Sequence, residues 1–111
     1  MRKPTTRQIV WDRCGGCCEV CGRTMDFHDW ALHHRKLRKH AGPDTPSNAL
    51  AVHHVCHNLG TGSIHLAVAH ALDNGWLVPS WADPATTTVL VAGRGLVLLD
   101  DTGVYVEEEA A

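Results

Sequence analysis

Two short pairs of metal-ligand residues, some thirty positions apart, limit the folds open to this chain. Cys18-Glu19-Val20-Cys21 is a C-x-x-C followed by Gly22, and His53-His54-Val55-Cys56 repeats the spacing as H-x-x-C. Two residues between donors let both face one ion, and the glycine frees backbone amides to turn toward the thiolates. Tetrahedral zinc accepts nitrogen in place of sulfur, so Cys18, Cys21, His53 and Cys56 read as a closed structural Zn²⁺ site. Such a site contributes about 10 kcal/mol or more to folding. That is a large share of what a chain of 111 residues with one Phe and one Tyr needs. Cys14 and Cys17 form a rival C-x-x-C in a Gly-Gly turn, without a glycine after the second thiol, and rank second.

The five cysteines are an odd number, so at least one lacks a disulfide partner within the chain. The amino terminus, MRKPTTRQIV, lacks the apolar stretch of a signal peptide, and no apolar run is long enough to span a membrane. The expectation is a single-domain cytoplasmic protein whose reduced thiols favour metal over disulfides. Net charge is −2 but unevenly spread: residues 1–60 hold nine Lys+Arg against five Asp+Glu, and residues 61–111 hold one against seven. The basic part, with Arg35, Lys36, Arg38 and Lys39, suits contact with DNA phosphates, and the Glu107-Glu108-Glu109 tail should point away. A charge run alone is more often a solvated face.

Ile9, Val10 and Arg13 sit at helical spacing and predict a short helix from about Thr6 to Arg13, ended by Gly15-Gly16. Asp29 to His34 reads as a strand, Arg35 to Ser47 as a polar loop, and Ala49 to Val52 as a second, antiparallel strand. Ser63 is a candidate N-cap for a helix from Ile64 to Asn74, with Gly75 at C′ and a buried stripe of Ile64, Val68 and Ala71 or Leu72. From Thr86 the chain reads as short strands joined by Gly-Arg-Gly and Asp-Asp-Thr-Gly turns. The expected organisation is an arm and short helix over 1–13, a core over 14–78, and a β extension with an acidic tail over 79–111.

Outside the zinc pairs, His33, His34, His57 and His65 crowd in a way that suits a second metal rather than a core. His33 and His34 end a strand, where successive side chains point to opposite faces. One can then hold a cation while the other takes a proton from water. His57 follows Cys56, so the zinc knot would place it. Asn48 opens the second strand, where its amide can tie the loop. His65, near the start of the expected helix, is a candidate third ligand or a donor to phosphate. His28, His40, His54 and His70 read as exposed.

C-x-x-C-G, then L-H-H-R, then P-S-N-x-L, then a ligand pair ending in C-H-N resemble, in order and spacing, the HNH homing-endonuclease family. The likeness runs from Cys18 to about Trp76 and is strongest to small phage-type members. It implies an α+β fold: a zinc-stapled ββα-metal core with a small C-terminal β extension. It implies His33 and His57 as ligands of a catalytic divalent cation, His34 as general base and Asn48 as loop anchor. Mg²⁺ is the first expectation for that cation, with Mn²⁺, Ni²⁺ or Zn²⁺ as alternatives. The implied activity is hydrolysis of DNA phosphodiester bonds, by nicking or double-strand cleavage. The implied setting is phage DNA packaging in the host cytoplasm beside the large terminase subunit. This sequence departs from the family pattern where His53 replaces a cysteine and where Leu59 to Ser63 separates the ligand pair from the helix. The alternative is a non-catalytic zinc-stabilised module that binds nucleic acid or protein. That module accounts for the cysteines but not for His33, His34 and His57 in this arrangement.

Overall fold

Thr5 begins the first helix by a reciprocal capping box. Its hydroxyl accepts from the Gln8 amide, and Gln8 Oε1 accepts from the Thr5 amide, which satisfies donors that the first turn leaves free. In the computed structural model, which describes residues 3–107, this helix (α1) spans Thr6–Cys14 and stops at Gly15, φ +62°. It buries Val10 and Arg13 on its inner face. No helix among the described residues is long and apolar enough to cross a membrane.

Strands β1 (Ala31–His34) and β2 (Ala49–Val52) pair antiparallel, with His33 opposite Leu50 and His34 opposite Ala49. β1 starts later than the sequence suggests because the Asp29 amide turns back to the Asp26 carbonyl. The connecting loop contains two 3₁₀ turns, Arg38–His40 and Pro46–Asn48. β2 is buried on both faces. Ala49 and Ala51 pack toward Val10 and Trp30, and Leu50 and Val52 join a second cluster with Ile64, Ala71, Trp76 and Leu77. An unbroken apolar run is what a strand covered on both sides requires.

The carboxy-terminal strands β3 (Val89–Val91), β4 (Gly95–Leu99) and β5 (Tyr105–Glu107) form an antiparallel sheet in that order, joined at the expected turns. Val89, Val91, Val97 and Leu99 point inward onto the face of β2 that carries Leu50 and Val52. This sheet therefore closes the core around β2.

The segment between the ligand pair and this sheet departs from expectation. Val55–Leu59 is a single π-helical turn, and helix α2 spans only Val68–Asp73, with Ala67 as its N-cap. The Ile64 and His65 amides donate to the Cys56 and His57 carbonyls at 2.9 and 3.1 Å, and the one turn that follows stops at Ala67, whose φ −128° and ψ 63° are not helical. Ser63 is buried with its hydroxyl unpartnered among the described residues and caps nothing. Ile64 and Ala71 are buried while Val68 and Leu72 are exposed, so the apolar stripe is narrower than its spacing suggests. Gly75 follows α2 at φ +74°, and a Cβ there would lie 2.0 Å from the Thr88 carbonyl oxygen. Only glycine permits both that hand and that approach.

One buried polar contact is an ion pair. Arg13 Nε and Nη2 donate to Glu19 Oε2 and Oε1 at 2.9 and 2.7 Å, with both side chains only 1 % exposed. Arg13 also donates to the Pro46 and Ala49 carbonyls, and Glu19 accepts from the Ala51 amide and the Tyr105 hydroxyl. Burial alone would lower the Arg13 pKa, but the Glu19 carboxylate outweighs it and holds the guanidinium above its usual value. Removing one partner strands the other charge in the core. Glu19→Ala should cost roughly 3–5 kcal/mol of stability by urea denaturation of the zinc-loaded protein. A loss below about 1 kcal/mol, typical of an exposed pair, would contradict this account.

Candidate active site and metal centre

The cysteine pair lies in a tight turn closed by the Gly22 amide donating to the Cys18 carbonyl, and the Cys21 amide points at Cys18 Sγ, 3.4 Å away. His53 follows the end of β2. Its Nε2 lies 2.9 Å from the Thr24 carbonyl, which only accepts, so the proton sits on Nε2 and Nδ1 offers its lone pair. That Nδ1 is 3.3 Å from Cys21 Sγ. One donor atom each from Cys18, Cys21, His53 and Cys56 lies within 4.8 Å of the others. Burial pushes the Cys21 thiol up, but bonds from Arg23, Cys18 and His53 outweigh it and bring it down to about 6. Burial and the neighbouring Cys18 and Cys21 push the Cys56 thiol up to about 12. The protein alone favours the Cys21 thiolate and resists that of Cys56, so ionising both calls for a cation. This soft, closed donor set is compatible with zinc.

A second cluster forms on the other side of Cys56. His33 reaches it from β1, His57 from the π-helical turn, and His65 because its amide pairs with the His57 carbonyl. Donor nitrogens of the three rings lie within 4.8 Å of one another, with ring centroids 4.7–5.2 Å apart. His57 Nε2 and His65 Nε2 face each other at 3.1 Å. His33 Nε2 sits 2.6 Å from the Trp76 carbonyl, which fixes the proton there and leaves Nδ1 free. Burial brings His33 down to about 3, and burial with His65 also lowers His57. Both shifts favour the neutral imidazoles of His33 and His57, whose lone pairs suit a divalent ion.

His34, the next residue after His33, turns the other way. Its ring is partly exposed, with Nε2 3.1 Å from Asp44 Oδ1. Asn48 is fully buried; its Oδ1 accepts from the Lys36 amide at 2.7 Å, and its Nδ2 donates to the Lys36 and Pro43 carbonyls. One side chain thus ties both limbs of the loop. Arg38 and Lys39 are exposed on that loop and Lys36 is partly exposed. Arg35 corrects the sequence reading, which assigns it to DNA. It is 0 % exposed and donates to the carbonyls of Ser47, Gly75, Pro84 and Thr87. Burial and nearby Arg13 hold its pKa down to about 10, so it remains a cation, satisfied by backbone dipoles. No phosphate can reach it.

Residues 18–61 match the family model for HNH endonuclease. The matched residues include Cys18, Cys21, His33, His34, Asn48, His53, Cys56 and His57, while His65 lies just beyond them. Comparison with curated proteins and with solved structures gives no match. Among the residues the sequence singles out, the structure gathers Cys18, Cys21, His53 and Cys56 in one group and His33, His57 and His65 in another. Cys14 and Cys17 join neither, and His28, His40, His54 and His70 are exposed. Asp44 and Glu19 escape a reading of the sequence. Asp44 lies in a loop with no ligand spacing, and Glu19 occupies a variable place inside the C-x-x-C.

The purified protein should carry about one tightly held zinc per chain by elemental analysis, as one closed site requires. Cys56→Ser should release it and lower the melting temperature, while Cys17→Ser should retain it. Unchanged zinc in Cys56→Ser would remove that residue from the site.

Proposed function

We propose that this protein is a metal-dependent endonuclease that hydrolyses DNA phosphodiester bonds. The observation that carries the reading is the convergence of His33, His57 and His65, with a partly exposed His34 following His33 in the chain, within and just beyond a stretch that matches the HNH endonuclease family model. His33, His57 and His65 would hold the catalytic cation, and Cys18, Cys21, His53 and Cys56 the structural zinc. Three imidazoles without a carboxylate suit Mn²⁺, Ni²⁺ or Zn²⁺ better than Mg²⁺, which prefers oxygen. When bound, the cation supplies Lewis-acid stabilisation of charge growing on the phosphate and the leaving oxygen.

The chain's own residues do the rest. His34 takes the proton from the attacking water, an effect worth about 10²–10⁴ in rate. Asn48 holds the loop against the end of β1, from which His34 projects. Lys36, Arg38 and Lys39 meet the phosphate backbone without reading sequence, so their contribution weakens as salt rises. The expected product is a nick with a 5′ phosphate. The setting of phage DNA packaging with a large terminase partner is carried by the family resemblance alone.

Nicking of supercoiled plasmid with Mn²⁺, Ni²⁺ or Mg²⁺ tests the reading. Wild type should cut, and His34→Ala should lose about a hundred-fold or more in rate while keeping its zinc and its melting temperature. Equal background cleavage by both would leave the protein a zinc-stabilised binding module instead.

A further inference from the structure

The loop between β1 and β2 folds back with little slack. Ala41 takes φ +61°, a left-handed conformation uncommon outside glycine, and a Cβ at Gly42 would lie 1.8 Å from the Lys36 carbonyl oxygen. A residue keeps such a conformation only where its surroundings over-determine it. Here the surroundings are hydrogen bonds on either side of Asp44. Buried Asn48 donates through Nδ2 to the Pro43 carbonyl at 2.8 Å, and its amide donates to the Thr45 carbonyl at 3.0 Å. Thr6, in the first turn of α1, donates its hydroxyl to the Asp44 carbonyl at 2.9 Å. The main chain is pinned around Asp44, whose side chain reaches His34 Nε2 at 3.1 Å.

We propose that Asp44 is the positioning residue for His34. It accepts the Nε2 proton, fixes the ring plane, and leaves Nδ1 as the nitrogen with a free lone pair. This rests on the reading of His34 as general base and adds which ring nitrogen performs that task. An ionised carboxylate only accepts, so the shared proton belongs to the imidazole. Holding one nitrogen of a histidine in this way sets its tautomer and orientation. Stability does not explain the contact, because the Asp44 side chain is 63 % exposed and pairs so exposed add little to folding. Asn48 then acts on His34 at one remove, through the main chain of Pro43 and Thr45.

The test uses the zinc-loaded full chain. Nitrogen-15 spectra of the imidazoles are recorded where the rings are neutral, with His34 identified by its absence in His34→Gln. Wild type should carry the proton on Nε2, and Asp44→Ala should show a mixture of tautomers. In plasmid nicking, Asp44→Ala should lose roughly ten- to a hundred-fold in kcat with KM for DNA little changed, and Asp44→Glu should recover part of the loss. Wild-type kcat together with an unchanged tautomer in Asp44→Ala overturns the proposal. If wild type cuts no DNA, the nuclease reading falls and the spectra decide alone. Retention of the Nε2 proton in Asp44→Ala then rejects the role of Asp44, and its loss upholds it.

Discussion

The Glu19 carboxylate meets three elements far apart in the chain: the Arg13 guanidinium of α1, the Ala51 amide of β2 and the Tyr105 hydroxyl of β5. Its own main chain adds two more bonds, to the Ala51 carbonyl and from the Ala92 amide. A buried carboxylate must have its lone pairs filled, and here filling them recruits one group from each layer. Because Glu19 sits between Cys18 and Cys21, the contact that gathers the layers also places the first thiol pair. The metal centre and the hydrophobic core are therefore not independent parts of this molecule.

The last two residues of β1 and the one that follows enter three different environments. His33 enters the imidazole cluster, held from behind by the carbonyl of Trp76, 43 positions later. His34 faces out toward Asp44. Arg35 turns into the core and gathers carbonyls from loops on several sides. The alternation of a strand separates His33 from His34. The carboxy-terminal half decides the rest, since Gly75, Trp76, Pro84 and Thr87 all lie beyond the matched family stretch. The added sheet both covers β2 and secures the segment that holds His33 and Arg35 in place.

Much of the local structure was legible because it depends on neighbours in the chain. The first helix, the short strands ending at His34 and Val52, and the turns of the last three strands each follow from a few adjacent residues. The helix expected from Ile64 is the clearest miss. Its alanine and leucine content favours a helix, but Ala67 leaves the helical angles and only Val68–Asp73 forms one, a break that shows only in three dimensions. The bond from the His65 amide to the His57 carbonyl brings the two imidazoles together.

By itself the sequence marked which donors could share an ion, since the spacing of C-x-x-C and H-x-x-C limits how near two side chains on one turn can come. It also marked which residues alternate along each strand. Only the tertiary structure decided what each of those residues meets. Arg35 and the exposed Arg38 carry the same charge three positions apart, yet one is enclosed by backbone carbonyls and the other faces solvent. That difference comes from segments forty or fifty residues away closing over β1, and local spacing carries no record of it.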